Sequence, residues 1–125
     1  MRAWLITFAL TLAVETAVAY PLLGLAVRPR RARLGAILLA NVMTHPVVYT
    51  LAAQLIPRSL LAIPLLEIGA TVIEALVYRS CFGRVGRPML LPAVFASCFA
   101  NALSFAASVV FWHFDGLSPR EWSLP

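Results

Sequence analysis

Three glutamates and one histidine lie in apolar stretches of the sequence, where ionisable side chains are unusual. Glu15, Glu67 and Glu74 lie inside long apolar segments, and His45 lies in LGAILLANVMTHPVVYT, residues 34–50. A carboxyl buried without a counter-charge stays protonated, or is compensated by a bound cation or by hydrogen-bond donors. Carboxylates with a histidine can bind a divalent metal or relay protons. The sequence therefore predicts a site for protons or a divalent cation, formed by Glu15, Glu74, His45 and Glu67.

Amides and hydroxyls in the same segments could support this site. Asn41 and His45 are four residues apart, so they share one face of a helix, and Pro46 breaks the backbone hydrogen-bond ladder beside them. The predicted polar support consists of Asn41, Thr44, Asn101 and Ser104. The alternative is purely structural, with protonated glutamates and asparagines joining helices through hydrogen bonds.

The composition is that of a membrane protein. The chain has 125 residues, of which 62% are hydrophobic and only 12% charged, with a mean hydropathy of +0.89. Soluble domains have about twice that charged fraction. All ten cations are Arg, and seven of them lie in the two short segments Arg28–Arg33 and Arg79–Arg87. Since these segments separate apolar runs, the net charge of +5 indicates cytoplasmic loops and not nucleic-acid binding.

The apolar runs predict an all-α integral membrane protein with one domain, residues 1–125. We expect a four-helix transmembrane bundle with spans at about 3–27, 34–56, 60–78 and 89–112. Cleavage of span 1 as a signal peptide would leave an Arg cluster outside, so we expect span 1 to be retained. We expect the protein to lie in the cell (inner) membrane. The Arg distribution predicts that both termini are outside the cytoplasm. Tyr20 and Tyr78 are expected to be interfacial anchors.

The two halves of the chain share a spaced pattern. Glu15, Gly24, Arg28 and Pro29 recur 59 positions later as Glu74, Gly83, Arg87 and Pro88, and the segment 40–44 recurs 60 positions later as 100–104. Glu and Asn are rare in this chain and costly in a span, so these matches favour a tandem duplication. The predicted repeats are 1–58 and 59–125, each a two-helix unit, related by an axis along the membrane normal.

Three classes of function fit these features. The first is transport of a cation or protons. The second is a non-catalytic membrane subunit or assembly factor of a larger complex, and the third is an intramembrane enzyme acting on a lipid or peptide. The sequence has no HExxH, GxSxG or Walker motif, which argues against an enzyme. The expected partners are the lipid bilayer and either further copies of this chain or a larger membrane complex.

Overall fold

Four helices make up the part of the chain that the structure describes. The computed structural model covers the backbone of residues 2–55, 59, 61–83 and 89–115, and the side chains of the same residues except 2, 3 and 112–115. The helices are α1 (Arg2–Gly24), α2 (Arg30–Leu55), α3 (Ala62–Phe82) and α4 (Leu90–Asp115). The all-α prediction is confirmed for these residues. Arg87 and Pro88 of the sequence repeat lie outside them.

Each helix overlaps one predicted span, but the ends of the helices differ from the ends of the spans. Helix α2 begins at Arg30 and not at Leu34, because arginine is a good helix former and the segment before Leu34 has no residue that breaks a helix. Helix α3 continues beyond Tyr78 to Phe82, and Arg79 in its last turn complements the helix dipole.

Three of the four helices are long and apolar enough to cross a membrane. They are α1 from Trp4, α2, and α4 as far as Phe111. Helix α3 has 21 residues, and every stretch of 18 residues within it contains the three charged side chains Glu67, Glu74 and Arg79. The prediction of a span is therefore supported by composition for α1, α2 and α4, and remains a prediction for α3.

The helices pack in a closed ring in chain order. Helix α1 packs against α2 and α4, and α3 packs against α2 and α4. The connections at 25–29, 56–61 and 83–89 are too short to cross the length of a helix, so consecutive helices run antiparallel. Alanines dominate the contact surfaces and allow the helices to approach closely: Ala19, Ala36, Ala40, Ala75, Ala93, Ala96 and Ala100.

Buried positions recur at the spacing of the sequence pattern. In α1, residues 15, 19 and 23 are buried, and so are residues 74, 78 and 82 of α3, 59 positions later. In α2, residues 36, 37, 40, 41 and 44 are buried, and so are 96, 97, 100, 101 and 104 of α4, 60 positions later. Equivalent faces of the two halves therefore point toward the centre of the ring.

Large apolar side chains lie on the outside of the ring. Examples from three of the helices are Leu38, Val42, Ile68, Leu91 and Phe99, each about half exposed or more. The interior contains polar groups instead, including Glu15 and Glu74, each 1% exposed. A helical bundle with apolar residues outside and polar residues inside suits a lipid environment better than water.

Tyr78 is not an interfacial anchor as the sequence suggested. Its side chain is fully buried, because α3 continues past it and the ring closes around it. Tyr20 instead receives the Arg33 guanidinium, which lies 4.0 Å from the ring centroid and donates through Nη1 to Tyr20 O at 2.9 Å. A Cβ at Gly24 would overlap Arg33 Nη1, so glycine makes room for this contact. The side chain that lies over Gly24 is therefore that of Arg33.

We expect Arg33→Lys to lower the free energy of unfolding by about 1 kcal/mol, because lysine keeps the charge but loses the planar contact with Tyr20. Denaturant or thermal unfolding in detergent would measure this loss. Arg31→Lys is the matched control, since Arg31 is exposed and lies in the same turn. Equal stability of the two variants would contradict a structural role for the Arg33–Tyr20 contact.

Candidate functional site

The Glu15 carboxyl of α1 accepts hydrogen bonds from two other helices. Asn41 Nδ2 of α2 donates to Glu15 Oε2 at 2.6 Å, and Ser104 Oγ of α4 donates to Glu15 Oε1 at 3.2 Å. All three side chains are buried. Glu15 therefore connects α1 to both of its neighbours in the ring.

The Glu74 carboxyl of α3 has the same kinds of partners. Asn101 Nδ2 of α4 donates to Glu74 Oε2 at 2.6 Å, and Thr44 Oγ1 of α2 donates to Glu74 Oε1 at 3.1 Å. Ser97 Oγ lies 3.0 Å from Glu74 Oε2 and also 3.0 Å from Thr71 O, so its single hydrogen is donated to one of these two acceptors at a time. The position that corresponds to Ser97 in the first half is Ile37, which has no polar group to donate.

The two sets of contacts correspond position by position and cross between the halves. Each carboxyl takes an amide from its own half on Oε2 and a hydroxyl from the other half on Oε1. We call this arrangement the crossed network. Its members are Glu15, Asn41, Thr44, Glu74, Asn101 and Ser104.

The helix backbone holds the amides of the crossed network in place. Asn41 Nδ2 also donates to Ile37 O at 3.1 Å, one turn earlier in α2. Asn101 Nδ2 donates to Ser97 O at 3.0 Å in the same way in α4. Each amide thus has one N–H fixed on its own helix and the other directed at a carboxyl, so the amide is a preorganised donor to the carboxyl oxygen.

Each hydroxyl of the crossed network lies between a carboxyl and a backbone carbonyl. Thr44 Oγ1 is 3.1 Å from Glu74 Oε1 and 3.0 Å from Ala40 O. A hydroxyl has one hydrogen, so it donates to only one of these acceptors at a time. When Glu74 is protonated, its own O–H can donate to Thr44 Oγ1 while Thr44 donates to Ala40 O. Glu74 can therefore exchange a proton without losing this contact.

Ser104 occupies the same position relative to Glu15. Its Oγ is 3.2 Å from Glu15 Oε1 and 3.1 Å from Asn101 O. Protonated Glu15 can donate to Ser104 Oγ while Ser104 donates to Asn101 O. The two carboxyls also repel each other when both are ionised. The geometry thus accommodates a proton on either carboxyl.

Two buried polar atoms near the crossed network have no hydrogen-bond partner among the described residues. They are Asn41 Oδ1 and the Tyr78 hydroxyl. Tyr78 is close enough to interact electrostatically with both carboxyls. An unpaired acceptor and an unpaired donor in one core are costly, and a water molecule or a protonated group could satisfy them.

His45 lies apart from the crossed network. It is buried in an aromatic cluster, with its ring 5.1 Å from that of Phe8, 6.1 Å from Trp4 and 6.2 Å from Tyr49. Its Nδ1 has no hydrogen-bond partner within the described part of the chain. No contact among the described residues therefore supports direct participation of His45 in a site with Glu15 and Glu74. This participation remains a prediction.

Glu67 lies about two turns before Glu74 on the same side of α3, and it lines a groove between α3 and α4. It interacts electrostatically with Glu74. Within the described residues, no group of three or more His, Cys, Asp and Glu side chains is arranged to hold a metal ion. Hydrogen bonds join the predicted residues Glu15, Glu74, Asn41, Thr44, Asn101 and Ser104, and among the described residues none joins His45 or Glu67 to them.

The sequence did not identify two parts of this arrangement. Ser97 was not among the predicted supporting residues, although its position beside Asn101 on the polar side of α4 was a usable signal. The exchange of hydroxyls between halves had no sequence signal, since spacing along a helix does not reveal which neighbouring helix a side chain meets.

Comparisons of the chain with protein-family models, with curated proteins and with solved structures found no match. The chemistry of the site is therefore argued from its own geometry.

We expect coupling energies to reveal the crossing of the network. Thr44→Val combined with Glu74→Ala should show a coupling of about 0.5–1 kcal/mol, because each variant removes the same hydrogen bond. Thr44→Val combined with Glu15→Ala is the matched control and should be nearly additive. The equivalent experiment for the other carboxyl combines Ser104→Ala with Glu15→Ala. Its control combines Ser104→Ala with Glu74→Ala. Unfolding in detergent would measure the coupling energy of all four pairs of variants. Coupling within each half instead of between halves would contradict the crossed arrangement.

Proposed function

We propose that the chain is a four-span integral membrane protein of the cell (inner) membrane. The outward apolar surface, the polar interior and the three helices long and apolar enough to cross a bilayer support this. Helix α3 completes the ring, and its two glutamates face the interior or the groove beside α4. A helix with this distribution can cross a bilayer as part of a bundle even though its composition alone is less apolar.

Both termini lie outside the cytoplasm in this proposal, because the segments 28–33 and 79–87, which include the connections after α1 and α3 and the adjoining helix ends, carry seven of the ten Arg residues. We expect a periplasmic reporter enzyme fused to the C-terminus to be active and a cytoplasmic fluorescent reporter at the same site to be dark. Fusions in the connection at 56–61 should behave like the C-terminal fusions, whereas fusions at 25–29 should give the opposite pattern. Reversed activities would contradict the orientation, and equal activities at all sites would contradict four spans.

The proposal includes a tandem duplication of a two-helix unit, with repeats 1–58 and 59–125. It is supported by the recurring Glu and Asn residues, by the recurring buried positions and by the corresponding bonds of the crossed network. Coincidence would have to reproduce sequence, burial and hydrogen bonding at the same two displacements, 59 residues between α1 and α3 and 60 between α2 and α4. The two units have the same orientation in the membrane because each contains an even number of spans.

The function we propose is proton transport, with Glu15 and Glu74 as the proton-binding groups. The observation that carries it is the position of each hydroxyl between a carboxyl and a backbone carbonyl. This position lets a carboxyl gain or lose a proton with its contact preserved. A divalent cation is less suited to this site, since amide and hydroxyl donors already point at the carboxyl oxygens.

We expect Glu15→Gln and Glu74→Gln each to abolish proton flux, because glutamine mimics the protonated carboxyl and cannot release the proton. Proteoliposomes with a trapped pH-sensitive dye and an imposed potential would measure the flux. Glu121→Gln, in the tail outside the described residues, makes the same acid-to-amide change and should leave the flux unaltered. Absence of flux in the wild type, or unaltered flux in both network variants, would contradict the proposal.

A further inference from the structure

A groove on the outer face of the ring runs between α3 and α4. Its volume is about 540 Å³. Along α3 it extends from Ile63 to Val72, which is about 13 Å at the rise of a helix. Sites for small molecules have volumes of about 300–1,000 Å³, whereas a spanning helix needs a surface about 30 Å long. The size of the groove therefore suits a small molecule better than a helix of another protein.

The walls of the groove are almost entirely apolar. Aliphatic side chains of α3 face Ala102 and the ring of Phe105 on α4. Ile68 and Val72 are more than half exposed on the outside of the ring, so the groove opens sideways to the surrounding medium. In a membrane that medium is lipid, and an occupant would enter from the bilayer.

Glu67 is the only charged residue that lines the groove in the part of the chain described. No hydrogen bond or ion pair to its carboxyl is seen among the described residues, and the nearby Glu74 carboxyl repels it when both are ionised. Of the other polar side chains in the lining, Asn101 is already engaged, because it donates to Glu74. An unpaired carboxyl in apolar walls, beside a second acid, favours a positively charged occupant.

We propose that this groove binds a lipophilic organic cation, with its charge at Glu67 and its apolar groups against the walls. A hydrated inorganic cation would need several oxygen ligands, and the lining supplies one unengaged carboxyl. A neutral apolar molecule would leave Glu67 unpaired. The ring of Phe105 adds a surface that a delocalised cation can contact favourably. The site rests on the proposed insertion in the membrane but is independent of proton transport.

The probe for this site is tetraphenylphosphonium, an aromatic cation, with triphenylphosphine oxide as a neutral analogue of similar shape. Binding to the full chain in a non-ionic detergent is measured by equilibrium dialysis or calorimetry. We expect saturable binding of the cation by the wild type and much weaker binding of the neutral analogue. Glu67→Gln should weaken cation binding about tenfold or more, because the ion pair is lost. Glu121→Gln is the matched acid-to-amide control and should bind like the wild type.

A second variant changes the space in the groove and leaves its charge at Glu67 unchanged. Ala102→Phe fills the groove and should abolish binding while Glu67 remains, and thermal unfolding of each variant verifies that it is folded. The proposal is overturned if the wild type does not bind the cation, if the neutral analogue binds equally, or if both groove variants bind like the wild type. A dimer of the chain that dissociates in Glu67→Gln would assign the groove to contact between copies and would also overturn it. Proton flux measured without the cation is a separate readout, so either proposal can fail alone.

Discussion

The hydrogen bonds that satisfy two carboxyls inside an apolar chain determine how the four helices pack. Glu15 contacts Asn41 and Ser104, and Glu74 contacts Asn101 and Thr44. Together these contacts connect every pair of neighbours in the ring, α1 with α2, α2 with α3, α3 with α4, and α4 with α1. A buried carboxyl without partners is strongly unfavourable, so any packing that separates one pair of helices leaves a polar group unsatisfied. Alanine at the surrounding positions lets the helices approach closely enough for contacts of 2.6 Å.

Much of the fold was predictable because the sequence contains long apolar runs separated by Arg-rich segments. The positions of the helices followed from those runs, and the errors were confined to the helix ends: α2 begins before Leu34, and α3 continues past Tyr78. The pairing of Glu15 with Asn41 and of Glu74 with Asn101 was also accessible. Glu and Asn recur together at nearly one displacement, and rare polar residues in apolar segments must find one another.

Other features depend on which surfaces meet across the ring, and a single sequence does not determine that. His45 lies four residues from Asn41 on the same helix, yet α1 presents Phe8 and Trp4 to it and not a carboxyl. Tyr78 resembles an interfacial residue beside an Arg, but the extra turn of α3 places it in the core. In both cases the position along the helix was predicted well, whereas the neighbour depends on the rotation of the adjacent helix.

The exchange of hydroxyls between halves has a consequence for the history of the chain. Neither half contains all the donors of its own carboxyl, so a single helical hairpin could not complete the site alone. Two identical hairpins side by side would complete both sites by reciprocal donation, as in a symmetric dimer. Once two such hairpins are joined in one polypeptide, their equivalent positions can diverge independently. In the proposed duplication, Ser97 opposite Ile37 and Tyr78 opposite Ala19 are differences of this kind, and they make the surroundings of the two carboxyls inequivalent, unlike those in a symmetric homodimer.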